Sequence, residues 1–121
     1  MKPSDIFQIS KTLSLIGKPI AYYPEIAKAL GSIPSALFLC QMIYWEGKQS
    51  DFNGWIYKTM NEIEKETGMG RRQIEGARKS LRDKGILQEE LKGIPAKLHF
   101  LIDWTVTDTI LTDLLQGVQT S

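Results

Sequence analysis

The chain has 121 residues but only one cysteine and one histidine, and each scarcity removes a class of chemistry. Cys40 cannot form an internal disulfide, and its place in the most apolar stretch reads as a small packed hydrophobe and not as a reactive thiol. With His99 as the sole imidazole, a zinc-type set of nitrogen and sulfur ligands cannot be assembled. No apolar run approaches the roughly 20 residues needed to cross a bilayer. The N-terminus also lacks a signal-peptide pattern, so the expectation is a cytoplasmic protein without membrane contact. There is no phosphate-cradling glycine loop, and no acidic cluster fit for a divalent cation. Glu62, Glu64 and Glu66 are close in sequence, but Glu62 suits a helix cap and the others fall on different sides of a helix. The expectation is therefore a non-enzyme with no catalytic residues, cofactor or metal. Linkers, repeats and low-complexity tracts are also missing, which leaves room for a single domain.

What is present is concentrated in TMNEIEKETGMGRRQIEGARKSLRDK, residues 59–84. Thr59 and Glu62 have the spacing of a capping box, in which each side chain accepts the other residue's backbone N–H. Gly68 can take the left-handed conformation that ends a helix, and Met69 and Gly70 leave only a brief turn before Arg71 starts the next one. At about 100° per residue, Ile74, Ala77 and Leu81 share one stripe of this second helix. Arg72, Gly76, Lys79 and Asp83 fall opposite, with Arg71, Arg78 and Arg82 along the flank.

Residues 70–84 hold six positive side chains against two negative, a local +4 in a chain of net charge +1. A solvated helix face can look the same. The conjunction of helix pair, short turn and following hairpin instead favours a cationic face turned to a polyanion such as a phosphate backbone. Gly76 on the outward side either permits close backbone approach or is simply tolerated there.

After Gly85, residues 86–91 and 97–104 read as two strands joined by residues 92–96. In the second strand Leu98, Phe100, Ile102 and Trp104 alternate with Lys97, His99, Leu101 and Asp103, so one face is buried. His99 then falls on the outward face. Trp55, Ile56 and Tyr57 form a third strand candidate after a turn at 51–54. Residues 33–46 are apolar nearly all round, as in a buried helix, with Pro34 in the first turn and Gly47 past the end. A short helix is expected at 24–30, a small hairpin from 13–16 and 20–22, and a last helix at about 107–116 stopped by Gly117. The fold class is α+β and mostly helical, a winged helix-turn-helix with a small antiparallel sheet and extra terminal elements.

The segment GWIYKT at 54–59, the helix pair with ETGMGRRQIEGARKSLRDKGIL and the strand KLHFLIDW resemble the winged-helix domains of phage and mobile-element replication proteins, including replisome organisers and DnaD-type primosome proteins. The likeness covers about 33–104. It implies double-stranded DNA binding in replication initiation or helicase loading, with replication proteins as possible partners and dimerisation through elements outside the helix pair. Such domains usually place Ser or Thr before the paired arginines, where this chain has Gly70, a change that costs only a few tenths of a kcal/mol. They also generally carry a further C-terminal domain, so the chain is either a fragment or a small stand-alone binder.

The DNA contacts expected are Thr59 at the head of the first helix, Arg71, Arg72, Gln73, Glu75, Gly76 and Lys79 on the second, and Lys92 and Lys97 beside the hairpin loop. Arg72 suits bidentate reading of guanine and Gln73 of adenine, while Lys79 reaches phosphate. The same surface would serve a transcriptional repressor, or an adaptor that meets an acidic protein without touching DNA. A homodimer is expected from the apolar last helix and the N-terminal hairpin, both outside the minimal fold, unless Leu111, Leu114 and Leu115 cover their own core.

Overall fold

Ser32 and Pro34 fix the start of the most deeply buried helix. The Ser32 hydroxyl accepts the Ser35 N–H at 3.2 Å, and Pro34 lies in the first turn, where no intrahelical donor is needed. The structure, a computed structural model, describes residues 15–16, 19–49, 51 and 53–120. Among them a short helix, α1 (Pro24–Leu30), ends on Gly31 in the left-handed conformation and turns directly into α2 (Ile33–Trp45). Ala36, Phe38, Leu39, Cys40 and Met42 of α2 are all buried, as its all-round apolar sequence requires.

Next come β1 (Ile56–Tyr57), α3 (Met60–Thr67), α4 (Arg71–Asp83), β2 (Leu87–Lys92), β3 (Lys97–Ile102) and α5 (Trp104–Thr120). The described elements thus form an α+β, mostly helical fold with one three-stranded antiparallel sheet in the order β1-β3-β2. Its register pairs Ile56 with Phe100 and Leu87 with Ile102, so these four side chains share the inner face and enter the core. Phe100 meets Phe38 of α2 edge-on with ring centres 5.5 Å apart, which locks the sheet to the buried helix. Ile63 of α3 and Ile74, Ala77 and Leu81 of α4 fill the same core.

Several boundaries differ from the sequence expectation. The second hairpin strand stops at Ile102, because Asp103 accepts the Val106 N–H at 3.0 Å and opens a helix in which Trp104 is the first residue. That helix begins before residue 107 and runs through Gly117, whose cost of about 1 kcal/mol in a helix does not end it. Lys92 belongs to β2, which shortens the loop to residues 93–96. The expected N-terminal hairpin does not form at its described positions. Leu15 and Ile16 are helical and residues 20–22 are irregular, while residues 13–14 and 17–18 lie outside the described residues. Ile110 and Leu111 of α5 pack against the core of their own chain.

Candidate nucleic-acid interface

The helix pair is set by its caps. Thr59 Oγ1 accepts the Glu62 N–H and Glu62 Oε1 accepts the Thr59 N–H, each at 3.1 Å, so the capping box is complete. This hydrogen bonding, led by the Thr59 N–H, holds the Glu62 carboxyl below its ordinary pKa, with the Lys58 ammonium adding a smaller pull. Gly68, at φ 77°, ends α3, and the buried side chain of Met69 anchors the turn. Gly70 then caps α4 without a side chain. In its place Gln73 Oε1 accepts the Gly70 N–H at 3.1 Å, which engages the same amide expected to read adenine.

Ile74 and Leu81 are fully buried and Ala77 almost so, whereas Arg71, Arg72, Gln73, Glu75, Gly76 and Lys79 are exposed. Neither Arg71 nor Arg72 has an ion pair or side-chain hydrogen bond among the described residues. A Cβ on Gly76 would meet nothing within 4 Å, so nothing within the chain demands glycine there. Lys79 is tethered to Asp83 at 2.9 Å, an exposed i,i+4 pair that solvent screens heavily. The bond from Lys79 draws the Asp83 carboxyl below its usual pKa.

Other cations of the expected surface are not free. Arg78 donates through Nε and Nη2 to Glu89 of β2, and Arg82 donates to the same carboxylate. Lys92 folds back across the sheet to Asp51 at 3.5 Å and lies over the Trp55 ring, leaving its side chain 28% exposed. The Asp51 carboxyl is held below its ordinary pKa, chiefly by the Asn53 N–H and less by Lys92. Lys97 remains exposed, 5.1 Å from the centre of the Tyr57 ring. Thr59 is exposed, although its hydroxyl is occupied by the cap.

Two groupings were not anticipated from the sequence. Glu89 stands at an inward position of β2 between Leu87 and Leu91, and an acid in an otherwise apolar alternation was the signal for a buried partner. Glu66 accepts from Trp45 Nε1 at 2.7 Å and Lys58 Nζ at 2.8 Å, while Lys58 also lies 3.4 Å from the centre of the Trp45 ring. These contacts tie α2, α3 and the end of β1 together. Among the described residues there is no group of three or more acidic, His or Cys side chains placed to hold a metal ion. Nor is any described helix long and apolar enough to cross a membrane. Compared with family models, curated proteins and solved structures, the chain matches none.

Proposed function

We propose that the protein binds double-stranded DNA as a winged helix-turn-helix, with α3 and α4 as the helix pair and the β2–β3 hairpin as the wing. The N-terminal half of α4 lies in the major groove, where Arg71 and Arg72 approach base edges and Lys79 and Lys97 approach phosphates. One observation carries this reading. Ile74 and Leu81 bury one side of α4 completely and leave Arg71 and Arg72, without an ion pair among the described residues, in solvent. Arg78 and Arg82 of the same helix are by contrast paired within the chain.

The diversion of Arg78, Arg82 and Lys92 into internal pairs leaves two phosphate contacts per copy, Lys79 and Lys97, beside the base-reading Arg71 and Arg72. A plot of log K against log salt should therefore fall with a slope of roughly −2 on duplex DNA. The setting in replication initiation of a phage, plasmid or mobile element rests on the sequence resemblance alone. The test is selection of bound sequences from a random duplex library with single-stranded competitor, followed by a salt titration on the best site. Recovery of a defined duplex site with that slope supports the reading. No binding to any duplex at low salt would sink it.

A further inference from the structure

The outer face of the sheet, turned away from α2 and α4, carries an aromatic cleft that the duplex-binding reading does not use. Tyr57 and His99 occupy paired positions of β1 and β3, with rings 5.2 Å apart and tilted by 34°. Trp55 precedes Tyr57, and Trp45 reaches the same place from the end of α2. Together with Gln49, Lys48, Lys58 and Asp51 these rings border a cleft of about 310 Å³. That is at the small end of ligand pockets, enough for one planar ring system.

The polar groups of the cleft define what could fill it. His99 Nδ1 lies 2.8 Å from the Lys97 carbonyl oxygen, which can only accept, so Nδ1 carries the proton and Nε2 of the neutral ring is left as an acceptor. Gln49 donates its amide to the Gly54 carbonyl at 3.1 Å and to Glu46, while its Oε1 is buried with no partner among the described residues. Nε2 is thus the acceptor left to a guest in the cleft, since Gln49 Oε1 is closed off from solvent. A cationic guest is disfavoured, because Lys48 and Lys58 already line the walls. Lys97 beside Tyr57 instead favours an anionic extension, whereas Lys92 is held by Asp51. Asp51 and Glu90 oppose phosphate on their own flank, which leaves the Lys97 side as the path for a backbone.

We infer that this face binds single-stranded DNA, seating one unpaired base that bears an exocyclic amine (adenine, cytosine or guanine) against Tyr57 and Trp55, with its amine toward the edge of His99. Stacking on the rings supplies sequence-tolerant affinity, the amine meets His99 Nε2 at the edge of the cleft, and Lys97 takes the phosphate. The site shares Lys97 with the duplex reading but uses no residue of α4, so it can stand when duplex binding through α4 fails.

The experiment follows intrinsic tryptophan quenching of the full chain by oligo-dA and oligo-dT of about twelve nucleotides, and by free dAMP. Oligo-dA should bind at least about tenfold more tightly than dAMP and more tightly than oligo-dT. Tyr57→Ala, at a position 39% exposed, should weaken oligo-dA by roughly 5- to 150-fold without changing the thermal melt. Arg71→Ala/Arg72→Ala should leave oligo-dA binding unchanged while removing duplex binding. Should Tyr57→Ala not fold, Lys97→Glu on the exposed strand replaces it and is expected to weaken oligo-dA likewise. Absence of oligo-dA binding, equal affinity for dAMP or oligo-dT, or loss on Arg71→Ala/Arg72→Ala with Tyr57→Ala neutral each overturns the assignment.

Discussion

Arg78 on α4 and Glu89 on β2 are joined through two guanidinium nitrogens, with side chains only 19% and 11% exposed. The bond fixes the angle between helix and hairpin, since each residue lies at the centre of its element. Glu89→Ala should therefore destabilise the fold by about 2–4 kcal/mol, between the cost of an unpaired buried donor and that of a broken buried ion pair. It also releases Arg78 and Arg82, so binding to random duplex at low salt should strengthen even as the urea midpoint falls. Urea titration with parallel shift assays checks both, and unchanged stability would show the pair to be incidental.

Gly76→Ala separates folding from contact. A methyl group there meets no atom of the chain, and alanine is favoured over glycine in a helix by about 1 kcal/mol. The melting temperature should rise. If the backbone of α4 approaches DNA closely at this point, duplex affinity falls in the same variant; a gain in stability with affinity intact assigns Gly76 to mere tolerance.

Arg72 and Lys79 should differ in kind. Arg72→Ala is expected to cost about 1–3 kcal/mol on the selected site and to relax preference at one base position. Lys79→Ala should weaken all sequences alike and make the salt slope shallower by about 0.9. Equal losses on selected and random DNA for Arg72→Ala would remove its reading role.

The capping box makes part of the stability dependent on pH. The folded-state pKa of Glu62 lies below its unfolded value, so its contribution is present above about pH 4.3 and is lost as pH falls through the lower folded value. Glu62→Gln keeps an acceptor for the Thr59 N–H but removes the charge. The variant should melt lower than the parent at pH 7 and converge with it at about pH 2, when both side chains are neutral. A constant gap across that range would place the effect outside the carboxylate. Asp51 and Asp83, both held low, add to the same acid limb.

Local signals carried much of the architecture. The Thr59 and Glu62 spacing, Gly68, the stripe of Ile74, Ala77 and Leu81, and the alternation around Phe100 each depend on neighbours within a few residues, and each stands where periodicity puts it. Partners remote in sequence were not legible. Glu89 meets Arg78 across 11 residues, Lys92 meets Asp51 across 41, and Trp45 meets Glu66 across 21, so counting charges along α4 overstated its free cations. The boundary at residues 103–104 was missed for a different reason. Trp104 continues the strand's alternation, and only the Asp103 cap shows that the helix has already begun.

Cys40 lies at the middle of α2, 2% exposed, and burial pushes its thiol above the ordinary pKa. A soluble thiol reagent can reach it only when the segment at 20–23 lifts or α2 leaves the core, so its labelling rate under native conditions times that opening from a single built-in position. A cysteine added on the outward side of α4 would, by contrast, react at once. One chain could then carry a dye beside a docked duplex and a silent clock at its centre.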